Sequence, residues 1–164
     1  MLAPAPGLVV LMCGLAGSGK TTFAQRLEAK GFVRLSFDEL VWSTAGRFGL
    51  DYKAADYPRH LEATRPVLRG RLTELMGERT PVVVDSAFWN RAARDDYRAL
   101  IGRHDCDCRL VYLRVDPETL RSRLRERSRR FDANAAFEVT TEMLDRFIAG
   151  FEAPSDEGEI VIAG

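Results

Sequence analysis

Residues 14–21 read Gly-Leu-Ala-Gly-Ser-Gly-Lys-Thr and meet the phosphate-loop pattern G-x-x-x-x-G-K-[ST] at every fixed position. The chain has 13 Gly, 3 Lys and 16 Ser plus Thr among 164 residues. A shuffled chain of that composition would hold about 0.002 such matches, so chance does not account for the pattern. Its setting constrains the fold further. The preceding run LVVLMC, residues 8–13, is short, unbroken and apolar, the pattern of a strand buried on both faces. After the loop, Phe23 and Leu27 stand at i and i+4, and Gly31 stops the helix they belong to.

Strand, glycine loop and helix therefore follow in the order that phosphate binding requires. The glycines let consecutive backbone N–H groups converge on one concavity, and the positive end of the helix dipole adds to it. Lys20 is placed to reach the β- and γ-phosphates of ATP or GTP, with the Thr21 hydroxyl on Mg²⁺. The expected nucleotide-binding set is Gly14, Ala16, Gly17, Ser18, Gly19, Lys20, Thr21 and Thr22.

Further β-type runs fall at residues 32–36, 81–85, 108–113 and 159–162, and helical patterns at 19–30, 37–45, 57–77, 91–103, 117–130 and 140–151. Strands alternating with helices predict an α/β domain with a parallel sheet covered on both faces and a ligand at the carboxyl ends of the strands. Residues 1–164 read as one domain, with a lid region at about 117–140. The segment 44–56 is loop-like and follows the second strand, on the ligand side.

Equal numbers of acidic and basic residues, 24 of each, argue against a large nucleic-acid surface. Three cysteines give no disulfide framework, and Cys106-Asp107-Cys108 lacks the spacing of a zinc pair. The first residues, MLAPAPG, carry no basic region, and no apolar run reaches transmembrane length. The cytoplasm, where ATP is available, is the expected compartment, as a monomer or homodimer.

Two acids stand where strands end. Asp85 closes PVVVD and is expected to support Mg²⁺ directly or through water. Asp38 follows VRLSF and is placed to orient an acceptor hydroxyl or take its proton. It is equally placed to cap the helix that follows, and one residue can do both. The run LRSRLRERSRR, residues 120–130, has six arginines. At about 100° per residue, Leu120 and Leu124 set the packed stripe of a helix. Arg127 falls in that stripe and Arg123 and Arg130 beside it, while Arg121, Arg125 and Arg129 face away. Arg123 and Arg127 are the expected phosphate contacts, with Arg130 in reserve.

With these residues in place the chain resembles small P-loop kinases of the AAA_33 or zeta-toxin-like group, a group similar to chloramphenicol phosphotransferase and to the kinase domain of polynucleotide kinase. The resemblance covers nearly the whole chain. It implies a P-loop NTPase sandwich of three layers, with five parallel strands in the order 2-3-1-4-5 and a short Arg-rich lid. It also implies that Asp38 is the base toward the acceptor and that Arg123 and Arg127 are the lid pair. Nothing here corresponds to the helical domain or intersubunit arginine finger of a ring motor.

Phe37, Trp42, Arg47, Phe48, Tyr52, Phe88, Trp89 and Arg91 gather near the ends of the second and third strands. Aromatic walls with a few polar anchors suit a ring-bearing small molecule. Trp42, Phe48, Tyr52, Phe88, Trp89 and Arg91 are therefore the expected acceptor contacts beside Asp38. The expected reaction is phosphorylation of a small-molecule hydroxyl, with an antibiotic or nucleoside-like product as the preferred acceptor. Polynucleotide 5′-hydroxyl kinase, nucleotide-sugar kinase and a nucleotide switch without an acceptor are the alternatives.

Overall fold

The computed structural model describes residues 2–127 and 139–164. Its strands are β1 (Leu8–Cys13), β2 (Val33–Ser36), β3 (Val82–Asp85), β4 (Asp107–Arg114) and β5 (Ile160–Ala163). The helices are α1 (Lys20–Glu28), α2 (Phe37–Ala45), α3 (Tyr57–Gly77), α4 (Arg91–Gly102), α5 (Pro117–Arg127) and α6 (Thr141–Gly150). A 3₁₀ turn, Ala54–Asp56, precedes α3. All strand pairs are parallel, and the sheet runs β2-β3-β1-β4-β5.

Every residue of the central β1 is buried, which is why its sequence is apolar without alternation. Its side chains nonetheless divide by the period-2 rule. Val9, Leu11 and Cys13 join Val82, Val84 and the inner faces of α3 and α4, including Leu72, Leu75 and Ile101. Val10 and Met12 join Val83, Val111 and Leu113 under Ala24 and Leu27 of α1. A third cluster, Leu120, Leu124 and Leu144, packs α5 and α6 together and onto Leu15 and Ala16 of the glycine loop. The lid helix thus rests directly on the phosphate loop.

Caps explain where the helices begin. Asp116 accepts from Thr119 N–H at 2.9 Å, Thr140 from Met143 N–H at 3.2 Å, and Asn90 from Ala93 N–H at 2.7 Å. At α2 the cap is Ser36, whose hydroxyl accepts from Glu39 N–H, so Asp38 lies inside the first turn. The capping role open to Asp38 in the sequence belongs to Ser36, and the Asp38 carboxylate is released for other contacts. Among the described residues no helix is long and apolar enough to cross a membrane.

Candidate active site

A cleft of about 1210 Å³ opens at the carboxyl ends of the strands, and residues 14–22 form its floor. Two glycines there are required by space as well as by backbone angle. At Gly14 (φ 145°) a Cβ would stand 2.7 Å from Ser18 Oγ and 2.9 Å from the Leu113 carbonyl. At Gly17 (φ 83°) it would press on Leu124 of α5 at 3.2 Å. Gly19, also left-handed, hands the loop to α1, whose N-terminus faces the cleft. Ser18 Oγ is buried with no hydrogen-bond partner among the described residues. An orphaned hydroxyl beside a ring of loop amides fits a phosphate ligand.

Lys20 extends back over the loop and donates to the Leu15 carbonyl at 2.9 Å. Desolvation lowers its pKa from 10.5 to about 8, against the pull of the Asp85 and Asp38 carboxylates, while Arg127 pushes in the same direction as burial. Four groups expected at the site from the sequence therefore share one electrostatic neighbourhood.

Asp38 lines the cleft from the first turn of α2 and accepts a hydrogen bond from the Tyr57 phenol at 2.6 Å. Tyr57 was not foreseen; it opens α3 and begins a stripe, Tyr57, Leu61 and Arg65, that lines the cleft at i, i+4 and i+8. The spacing was legible in the sequence, but only the fold shows that this face of α3 borders Asp38.

Asp85 is buried, and its Oδ2 accepts from Arg34 Nη1 at 3.0 Å. Arg34 also binds Glu28 at 3.3 Å and Glu39, so three carboxylates share one buried guanidinium. Burial pushes the Asp85 carboxyl above its ordinary value, with Lys20, Arg34 and a hydrogen bond to Thr21 opposing the rise. Thr21 and Asp85 are thus adjacent, the donor set a Mg²⁺ beside bound phosphates would meet. One Asp85 oxygen is already committed to Arg34, a partner the sequence did not suggest.

Among the lid arginines, Arg123 and Arg127 line the cleft. Arg121 pairs instead with Asp145 of α6 at 2.8 Å, and Arg125 donates to the Arg121 carbonyl. Arg129 and Arg130 lie outside the described residues, as does much of the expected lid.

The expected acceptor wall is redistributed. Trp89 lines the cleft with 53% of its surface exposed. Phe88 does not: at φ 43° it turns into the core, 4% exposed, and meets Tyr97 edge-on with centroids 4.9 Å apart. Phe48 and Tyr52 are behind the site, packed edge-on against each other, with Phe48 also against Tyr57. Trp42 is half-buried on α2 and is not among the cleft-lining residues. Arg91 is also outside the cleft; its guanidinium approaches Asp95 at 3.6 Å and its backbone N–H donates to Glu152. Arg65 of α3 and Arg146, Phe147 and Gly150 of α6 take their places along the wall.

Residues 9–154 match the family model AAA_33, described as an AAA domain. No curated protein sequence matches the chain. Among solved structures, the chain is similar to a gluconokinase from Sinorhizobium meliloti 1021, at 22% identity and TM-score 0.64, over 96% of this chain and 82% of that one. It is similar to Chaetomium thermophilum Kti12 in complex with ADP-AlF3, at 16% identity and TM-score 0.69, over 94% and 88%. It is also similar to a chain of the Pnkp1/Rnl/Hen1 RNA repair complex, at 20% identity and TM-score 0.65, over 93% of this chain and 48% of that one. At these identities the likeness is one of fold.

Proposed function

This chain belongs to the AAA_33 family of AAA domains, and on that premise we propose that it is a P-loop kinase, moving a γ-phosphoryl group from ATP or GTP to a hydroxyl of a small molecule. The observation that carries the reading is the placement of Asp38. Its carboxylate lines the same cleft as the phosphate loop and lies within the electrostatic reach of Lys20. A nucleotide switch needs the loop and its lysine; it has no use for a second carboxylate on the acceptor side. The fold's likeness to a gluconokinase supports the same reading.

When bound, the nucleotide would supply the phosphoryl group and Mg²⁺ a divalent charge to offset its negative charge. Loop amides and Ser18 would hold the phosphates, and Thr21 with Asp85 would hold the cation. Lys20, Arg123 and Arg127 bring positive charge to the place where transfer spreads negative charge. Asp38 orients the acceptor hydroxyl and accepts its proton.

The acceptor we favour is ring-bearing, an antibiotic or nucleoside-like compound, because Trp89, Phe37 and Phe147 line the same cleft as Asp38. A hydroxylated anion such as a sugar acid is the second reading. It is favoured by Arg146, which has no carboxylate partner among the described residues, and by Arg65, which lies 5.9 Å over the Phe37 ring while pairing with Glu62. The test is a panel of natural products, nucleosides, sugars, sugar acids and 5′-hydroxyl oligonucleotides, incubated with Mg²⁺ and either nucleotide. Mass spectrometry should find a phosphate gain on one small-molecule class. Nucleotide hydrolysis that no compound diverts would sink the kinase reading in favour of a switch, and transfer confined to oligonucleotides would replace the acceptor class.

A further inference from the structure

A carboxylate on the first turn of a helix has several staggered rotamers open to it. At Asp38 one contact selects among them, the 2.6 Å hydrogen bond from Tyr57 to Oδ1. Tyr57 is itself held. Its ring meets Phe48 edge-on with centroids 5.7 Å apart, Phe48 meets Tyr52 at 6.0 Å, and Tyr52 lies 4.5 Å from His60. Arg47 and Asp51 close the loop that carries these rings, through a backbone N–H bond of 2.6 Å and an ion pair of 3.0 Å. The aromatic segment after α2 is thus a brace for Tyr57.

We propose that Tyr57 is a positioning residue for phosphoryl transfer: by donating to Oδ1 it fixes the Asp38 carboxylate and leaves Oδ2 to take the acceptor proton. The assignment rests on Asp38 being the base. In the step, the acceptor oxygen forms its bond to the γ-phosphorus while the bond to the bridging oxygen breaks. The electron pair of that bond leaves on the nucleoside diphosphate, and the acceptor's proton passes to Oδ2. Tyr57 keeps its own proton throughout. Burial, and then the Asp38 charge beside it, hold the phenol well above its ordinary range.

Among the described residues, the charged and titratable groups that interact with Asp38 include Lys20 from α1, Tyr52 from the loop and Tyr57 from α3. Arg127 acts in turn on both Lys20 and Tyr57, and Asp85 on Lys20. Tyr57 supplies the hydrogen bond. Its loss would leave Oδ1 without the donor that selects the carboxylate rotamer.

Tyr57→Phe keeps the ring against Phe48 and removes only the donor. In ligand-free protein labelled with ¹³C-aspartate, the Asp38 carboxyl resonance at one fixed pH should differ between the parent and Tyr57→Phe, because the donor to Oδ1 is gone. A fluorinated tyrosine at position 57, a stronger donor that preserves the packing, should keep the contact. With an acceptor from the panel, Tyr57→Phe should lower kcat roughly 10-fold at unchanged nucleotide KM, and the fluorinated tyrosine should hold kcat near the parent's. An Asp38 resonance common to all three folded proteins overturns the proposal. A fall in kcat of the same size in both variants also overturns it, since altered packing alone would produce that. Failure of the kinase reading looks different: nucleotide binds and nothing is phosphorylated, yet the carboxyl resonance still decides the Tyr57 contact.

Discussion

At one end of the cleft, nine consecutive residues, 14–22, bring a lysine, two threonines, a serine and their own backbone donors. At the other end Asp38, Tyr57, Trp89 and Phe147 arrive from α2, α3, the loop after β3 and α6. The first end takes its geometry from local backbone angles and the glycines that permit them. The second takes its geometry from packing between elements far apart in the chain. A contiguous site can lose its chemistry while the fold stands; a distributed one depends on the contacts that hold its walls.

Those contacts are visible behind Trp89. Its carbonyl accepts from Glu152 N–H at 2.9 Å, and Arg94, 1% exposed, donates to the Phe88 carbonyl at 2.9 Å. Arg94 also pairs with Glu157 at 2.7 Å, where both side chains are almost wholly buried, and Arg98 reaches the same carboxylate at 2.7 Å. The segment between α6 and β5 thus anchors the loop that presents the acceptor wall.

The largest expected effect is at the contiguous end. Lys20→Ala should reduce phosphate transfer to the limit of detection, because it removes the cation aimed at the β- and γ-phosphates. Its melting temperature should stay near that of the parent, since the lysine's hydrogen bond to the Leu15 carbonyl lies within the loop itself. Near-normal turnover would detach the loop from the function.

Asp38→Asn tests the distributed end. Transfer should fall by roughly 10²–10⁴-fold, the range for a positioned acid or base, while nucleotide affinity measured by calorimetry changes little. Parallel loss of affinity and transfer would show that the two ends are not separable at this residue.

Glu157→Gln should act through the wall. Hydrogen bonding from Arg94, against the cost of burial and with help from Arg98, lowers the Glu157 pKa from 4.5 to about 2. The folded value is depressed, so this contribution is complete above pH 4.5 and is lost as pH falls toward 2. It amounts to roughly 3 kcal/mol at neutral pH. Denaturant titrations should show Glu157→Gln less stable by about that amount, with a flatter acid limb, and acceptor KM should rise more than nucleotide Kd. Equal changes at both ends would erase the distinction between them.

The smallest effect is a proton. With its pKa near 8, Lys20 is partly neutral just above that pH in the free protein. Phosphate charge would restore the ammonium, so nucleotide binding should take up a fraction of a proton around pH 8. Calorimetry in two buffers of different ionisation heat would measure it. No uptake at that pH would mean that Lys20 stays charged without a ligand.

The lining of the cleft by residues 14–22 was legible residue by residue because a glycine loop of this kind is a local object. Its glycines, lysine and threonine occupy one short stretch, and their spacing carries the geometry. The parallel sheet followed from apolar runs alternating with helical periods, and Leu120 and Leu124, phased as a packed stripe, are buried, with Arg127 lining the cleft and Arg125 donating to the Arg121 carbonyl. The acceptor end was legible only as a neighbourhood. Phe88 and Trp89 are adjacent and chemically alike, yet a left-handed backbone at Phe88 sends one ring into the core and the other into the cleft. The Tyr57–Asp38 bond spans 19 residues and the Arg34–Asp85 pair 51. Contacts at that separation have no signature in local composition or periodicity. They form because packing α2 against α3 and pairing β2 with β3 leave those side chains one place to meet.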